Sequence, residues 1–350
     1  MTLSARLVLL LNRLFPRVKL RGRAGKDEYS RVSYGFAALD AANWIPLLDR
    51  WSGGAVVDVG CGFGGRTVYY AEGRLGPTVG LDLLAINTVQ AARFARLQGN
   101  DTKGRCLIVQ ANAERAPLAD EQFDAVICSD CMEHFPDPRR TLAEMWRLVR
   151  TGGALVLEFS PSWTRTGSHL GDYVWTPWAQ WAFSRRTLEE AATEVYRRRR
   201  AGILDPEEAR RQEEWFGFVM EVHRCYLNEM TLGQFTGWLT ELPDALLVRL
   251  DQCHTRTKGL ALIPWIGGMF AEGITCVVRK VPGRRIGAAD IRRARTADFV
   301  RWMGNICIGG LRRVRRLLGG SPGTPRPMEA SALPPMRRPR EGDSYGPGAS

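Results

Sequence analysis

The sequence predicts an α/β protein built on a doubly wound, mostly parallel seven-stranded sheet, with a helical lid inserted late in the chain. Three observations predict it. Strand-like and helical runs alternate from Ala55 onward, a glycine-rich turn follows the first strand, and a polar, Trp-rich segment interrupts the pattern after the fifth.

At 350 residues, 45% of them hydrophobic, the chain can bury a full core and carry decorations on it. Residues 1–42 read as an amphipathic, basic extension, LSARLVLLLNRLF followed by RVKLRGR. The stretch Trp44 to Trp51 reads as a helix end that passes through Ser52, Gly53 and Gly54 into the first strand, so the main domain is placed at 43–281. Within it come AVVDVG, a helix from Gly65 to Gly73, TVGLD, a helix through NTVQAARFARLQ, RCLIVQAN and FDAVICSD. A helix from Pro138 to Val149, a Gly152-Gly153 turn and the strand ALVLEFS follow. Strands joined through single helices require right-handed crossovers, which lay the strands parallel. Residues 161–230 form the lid insertion, with Trp163, Trp175, Trp178, Trp181 and Trp215, before a helix from Thr231 to Glu241. ALLVRLDQC and ITCVVRKV supply the last two strands, with GLALIPWIGGMF between them.

Beyond the sheet, residues 282–318 read as a basic amphipathic helical region, with Phe299, Trp302, Met303, Ile306, Gly310, Val314 and Leu317 on one stripe. Residues 319–350 are rich in Pro, Gly, Ser and Arg, too poor in apolar surface to fold, and read as a disordered tail. The charge is concentrated there. The net charge is +12, and from Val281 onward fourteen Arg face five Asp or Glu, so the sheet-forming region is close to neutral. LVLLL at Leu7 to Leu11 is too short for a bilayer span or a signal-peptide core, which points to the cytoplasm. The eight cysteines are scattered through predicted strands and helices, as reduced thiols are. Cys128 and Cys131 form one C-x-x-C without a second pair at metal spacing, so no metal site is indicated.

The stretch VVDVGCGFGG holds the chemistry. Gly60, Gly62 and Gly65 spell G-x-G-x-x-G, a dinucleotide fingerprint. Asp58 speaks against that ligand, because a carboxylate aimed at the loop opposes a dianionic pyrophosphate and favours a cation. S-Adenosylmethionine carries a sulfonium and an α-amino group, and glycines let the backbone approach it closely.

DVGCGFG, VGLDL, ANAERAPLADEQFDAVICSDCMEHFPDP and EMWRLVRTGGALVLEF, in this order from Ala55 to Phe159, together resemble the class I S-adenosylmethionine-dependent methyltransferases with a methyltransferase-11-like core and Rossmann-like fold. The resemblance implies that Asp58, Gly60, Cys61, Gly62 and Gly64 take the methionine end of the cofactor. It also implies that Asp82, with Leu83 beside it, holds the ribose, and that Asn112 and Ala113 meet the adenine, with Ser129 completing the set. Asn112 stands where the family usually has Asp; its side-chain carbonyl still accepts from an adenine amino group.

Methyl transfer is an in-line displacement, so the protein mainly positions the acceptor and, for a hydroxyl, removes a proton. The histidines are the candidates. His134, in CMEHF, matches a family position that usually supports the cofactor pocket; His169, in GSHLGDYVWTPWAQWAFS, lies in the lid beside Tyr173, Trp175 and Trp178, which suggest an aromatic pocket wall. Those aromatics suit the packing of a helical cap equally well. His223 reads as a packed or surface histidine.

The acceptor expected is a small molecule, a natural product, glycan or lipid precursor, methylated at oxygen under a closed lid. An RNA or DNA methyltransferase anchored by the Arg-rich tail is the alternative. The near-neutral core and SDCM after the fourth strand, where base methyltransferases usually carry N-P-P-Y, argue against nucleic acid. A NAD-dependent oxidoreductase is the weaker alternative. The basic, amphipathic termini also suit peripheral contact with an anionic membrane, against a reading in which they pack on the core.

Overall fold

The computed structural model describes residues 1–15, 25–47, 53–99, 104–162, 164, 167–225, 227–253 and 273–301. Trp163, His254, the segment GLALIPWIGGMF, the apolar stripe from Trp302 onward and the tail at 319–350 lie outside these residues.

Seven strands form one sheet: β1 (Val56–Val59), β2 (Thr78–Asp82), β3 (Cys106–Gln110), β4 (Phe123–Ser129), β5 (Val149–Phe159), β6 (Ala245–Cys253) and β7 (Gly273–Lys280). Their order is β3-β2-β1-β4-β5-β7-β6. The first five run parallel, and β7 is antiparallel to both β5 and β6, inserted between them. The chain runs outward from β1 to β3 and then returns to β4 on the other side of β1. The carboxyl end of β1 therefore lies at the switch point, where open sheets of this kind bind ligands.

Alternation along the central strands builds two cores. Val57, Val59, Val126, Cys128, Leu155 and Leu157 face α5 (Pro138–Leu148) and α9 (Leu232–Leu239), meeting Leu142, Met145, Phe235 and Leu239. Val56, Ala125, Ile127, Ala154 and Val156 face the other way, onto Ala37, Ala41 and Trp44 of α2 (Gly25–Trp44). Full burial of each such Val, Leu or Ile contributes roughly 1.5–3 kcal/mol. The domain start drawn at residue 43 thus falls inside a helix that covers one sheet face. The extension's second half was not legible as core because α2 has only a weak apolar stripe and buries mostly alanines.

The connections are short. α3 (Gly65–Tyr69) continues into one π-helical turn, Tyr70–Arg74, and α4 (Ala85–Leu97) links β2 to β3. Gly152 and Gly153 do not reverse the chain: β5 runs through them, with Gly152 at φ +83° in an irregularity against Phe123 and Ala125. Past Lys280, residues 288–301 are helical and are named α10.

The insertion is helical, with α6 (Ala179–Ala182), α7 (Arg185–Arg200) and α8 (Pro206–Cys225) around a core of their own. α1 (Leu3–Leu11) completes that core through Ala5 and Val8. The buried Asn12 after α1 locks it in place: its Oδ1 accepts from Thr176 N–H at 3.0 Å and Thr176 Oγ1 at 2.7 Å, and its Nδ2 donates to Tyr173 O at 3.0 Å. Among the described residues, no helix is long and apolar enough to cross a membrane.

Candidate active site at the carboxyl edge of the sheet

Gly60, Gly62 and Gly64 have φ of +75°, +52° and +80°, a conformation open to glycine at little cost. The turn they make is pinned from below. Gly60 and Cys61 N–H donate to Leu81 O at 2.7 and 3.0 Å, and Gly64 N–H donates to Cys61 O at 2.9 Å. A Cβ on Gly60 would fall 2.1 Å from Cys131 Sγ, and one on Gly64 2.7 Å from Ala91 Cβ, so both admit close neighbours. Gly62 differs: nothing lies within 4 Å of its Cβ position, so its face borders open space.

Two carboxylates flank this turn. Asp58 is 2% exposed and accepts from Thr67 Oγ1 at 2.6 Å; burial pushes its carboxyl up to about 6. Asp82 ends β2 and accepts from Gly62 N–H at 2.9 Å, Leu84 N–H at 2.9 Å and Asn87 Nδ2 at 3.0 Å. Leu83 beside it is 50% exposed, an apolar surface next to a carboxylate. Asn112 caps the 3₁₀ turn Ala113–Arg115, its Oδ1 accepting from Glu114 N–H at 2.9 Å, and Ala113 is buried behind it. Ser129, at the end of β4, donates to Glu158 Oε2 at 3.3 Å.

Directly after β4 the chain forms a 3₁₀ turn, Met132–His134, while the loop after β5 brings His169 back to the same edge. The His134 and His169 rings meet edge to face, centroids 4.9 Å apart. His169 Nε2 lies 3.8 Å from Glu133 Oε1, and ligand atoms of Glu133, His134 and His169 all lie within 4.8 Å of one another. Glu133 is 1% exposed; Oε1 accepts from Ser160 N–H at 3.3 Å and Oε2 has no partner. Burial, with Asp130 nearby, pushes its carboxyl up to about 8. Burial, reinforced by His134 and His223, pushes His169 down to about 3, so its ring is neutral at physiological pH.

His169 itself sits at φ +56°, an unusual conformation for a side chain of its size. His223 of α8 holds that loop: it is 4% exposed, and its Nδ1–H donates to Ser168 O at 2.8 Å. A buried histidine that positions another by a backbone bond leaves no signal in sequence spacing.

This arrangement matches a known type. Residues 57–157 fit the family model described as Methyltransferase domain. Over these residues the chain is similar to methyltransferase domains. Similar proteins include the ubiquinone biosynthesis O-methyltransferases of Pseudomonas entomophila, 36% identical over 32% of this chain and 46% of that one, and of Paracidovorax citrulli, 38% identical over 31% and 45%. The match spans just under half the length of these relatives. Among solved structures, geranyl diphosphate C-methyltransferase from Streptomyces coelicolor aligns over 70% of this chain and 77% of its own at 15% identity and a TM-score of 0.42.

The residues present fit the cofactor of such a domain. Gly62 leaves room where the chain turns, Asp58 places a carboxyl group two residues before that turn, and Asp82 stands beside the half-exposed Leu83.

The insertion departs from the expected aromatic pocket wall. Tyr173 is 1% exposed and packs on Phe216 at 5.1 Å, and Trp175 Nε1 donates to Asn12 O, so both serve the cap's own packing. A different aromatic set links lid and cofactor turn. Phe63 meets Tyr29 of α2 at 5.6 Å and Phe218 of α8 at 6.1 Å, and Tyr29 meets Trp215 at 5.9 Å. Tyr29, Phe63, Phe218, Glu133 and the Arg66 that bridges Asp40 and Asp130 at 3.1 Å each were missed because their partners are remote in sequence.

Proposed function

We propose that this protein transfers a methyl group from S-adenosylmethionine to a hydroxyl oxygen of a small molecule, a natural product, glycan or lipid precursor. The observation that carries the reading is the meeting of the Glu133, His134 and His169 side chains past the end of β4, the strand paired with the one that leads into the glycine turn. A cluster of imidazole and carboxylate groups suits an oxygen acceptor, which must be oriented and must lose a proton as it attacks the methyl carbon. The bond to sulfur breaks in the same step, and its electron pair stays with S-adenosylhomocysteine. The O-methyltransferase names of the relatives agree with transfer to oxygen.

A second observation favours an acceptor drawn from a lipid surface. α1 buries Ala5 and Val8 against the lid and turns Leu3, Leu7, Leu10 and Leu14 outward at 82%, 46%, 55% and 72% exposure, and RVKLRGR follows it in the sequence. An apolar stripe beside basic residues fits an anionic bilayer surface.

Methyl-labelled S-adenosylmethionine, incubated with the full-length protein and an extract of its source, tests both readings. We expect label in the solvent-soluble fraction, lost with Asp58→Ala, and salt-sensitive cosedimentation of the protein with anionic vesicles. Label in RNA or DNA overturns the small-molecule reading, and no sedimentation at low salt overturns the membrane one.

Cofactor affinity should also depend on pH. Asp58 has a value near 6, and the cofactor's amino group favours its ionised form. Affinity for S-adenosylhomocysteine, by calorimetry, should therefore be flat above about pH 7 and fall roughly tenfold per unit below about 6 as the carboxyl takes up a proton. Asp58→Asn should bind weakly with no such slope; a slope that persists in this variant removes Asp58 from the contact.

A further inference from the structure

We infer that Glu133, His134 and His169 form a binding site for one divalent transition-metal ion whose open positions receive the acceptor oxygen; this second role rests on the methyl-transfer reading above. Two imidazoles and one carboxylate are a ligand set that suits zinc, cobalt or iron and leaves coordination positions free.

Distances support a single ion. Ligand atoms each about 2.1 Å from a metal lie at most about 4.2 Å apart. His169 Nε2 and Glu133 Oε1 are 3.8 Å apart, and the full set, within 4.8 Å, closes to the roughly 3.4 Å separations of a tetrahedral ion with side-chain movements of about an ångström. The 3.8 Å separation is too long for a hydrogen bond, so the two groups face each other without satisfying each other.

Glu133 Oε2 has no hydrogen-bond partner, although the residue is 1% exposed. No Arg or Lys ion pair reaches Glu133 among the described residues; its ion-pair contact is His169. That unpartnered oxygen is a ligand atom available to a cation. The His169 side chain keeps 22% exposure, so the cluster is open on one side to an incoming ligand.

The support around the cluster resembles the outer shell of a metal centre. His223 holds the Ser168 carbonyl and fixes the turn that presents His169. Asn228 Nδ2 donates to Met132 O at 2.9 Å and Phe135 O at 2.8 Å, and Asn228 N–H donates to Glu133 O at 2.9 Å, which clamps the 3₁₀ turn carrying the other two ligands. His223 and Asn228 between them thus hold both the turn that presents His169 and the turn that carries Glu133 and His134. A hydroxyl oxygen bound at an open metal position loses its proton to solvent more readily and then attacks the methyl carbon, while the carbon–sulfur electron pair leaves with sulfur.

The test uses the full-length protein stripped of metal by a chelator and titrated with Co²⁺, read by visible d–d absorption. We expect one equivalent bound, and at least tenfold weaker binding in Glu133→Gln and in His169→Asn, a variant chosen because Asn tolerates the positive φ at that position. Affinity for S-adenosylhomocysteine, measured on the same samples, should change less than about twofold, which shows that the variants are folded. No d–d bands in the parent protein, or equal binding in the variants, overturns the site. Restoring Zn²⁺ or Co²⁺ should restore methyl transfer to the chelated protein; transfer that ignores the chelator overturns the acceptor role. Metal binding without S-adenosylhomocysteine binding would instead count against the methyltransferase reading and leave the metal site standing.

Discussion

Asp82→Ala is expected to weaken S-adenosylhomocysteine binding roughly 100-fold, since charge-assisted hydrogen bonds to a ligand contribute about 1.5–3 kcal/mol each. Asp82 has two jobs. On the proposed reading it offers oxygens to the ribose, and it receives Gly62 N–H, Leu84 N–H and Asn87 Nδ2, so it also ties the glycine turn to the start of α4. Asp82→Asn separates the jobs, because an amide of the same shape keeps an acceptor and loses the charge. It should fall between the parent and Asp82→Ala in affinity while melting close to the parent. Calorimetry and thermal melting check both variants. Unchanged affinity in Asp82→Ala at an unchanged melting temperature would remove Asp82 from the cofactor site.

Gly60→Ala is expected to destabilise the fold by about 3 kcal/mol. A left-handed φ of +75° costs an L-residue about 1–2 kcal/mol, and a Cβ there lies 2.1 Å from Cys131 Sγ and 2.8 Å from Cys131 Cβ, an overpacking that adds about 1–3 kcal/mol. Rotating the thiol away relieves only the first contact. The double variant Gly60→Ala/Cys131→Gly should therefore recover the steric part and keep the conformational part in urea unfolding. Recovery of nothing would disprove the contact. Gly62→Ala is the contrast: its Cβ meets no protein atom within 4 Å, so it should cost stability only through its φ of +52° while it weakens cofactor binding by filling the open space.

The roles of Cys128 and Cys131 follow from the same packing. Cys128 is buried in the sheet core and Cys131 lies against Gly60.

How much was legible in the sequence depended on the range of the interaction. The seven strands, the glycine turn and the acids at Asp58 and Asp82 are local patterns: short apolar runs bounded by turn residues, φ > 0 at glycine, and a carboxylate within or at the end of a strand. The two ends of the sheet segment were harder. α2 covers a sheet face with alanines, which give little periodic signal, and β7 enters between β5 and β6 through contacts that no strand shows in its own residues. The lid aromatics were ambiguous for the same reason, since a Tyr that walls a pocket and a Tyr that packs a cap share one composition; Tyr173 packs the cap.

By itself, then, the sequence determined the α/β class, the seven strands and the glycine turn, because backbone conformation and strand periodicity are written within a few adjacent residues. Only the tertiary structure decided that His134 and His169, thirty-five positions apart along the chain, meet over a buried Glu133, and that His223 positions the second of them. Such a meeting follows from strand order and from the path of the lid. Both are long-range choices, made by burying two sheet faces at once, and no short stretch of the chain records them.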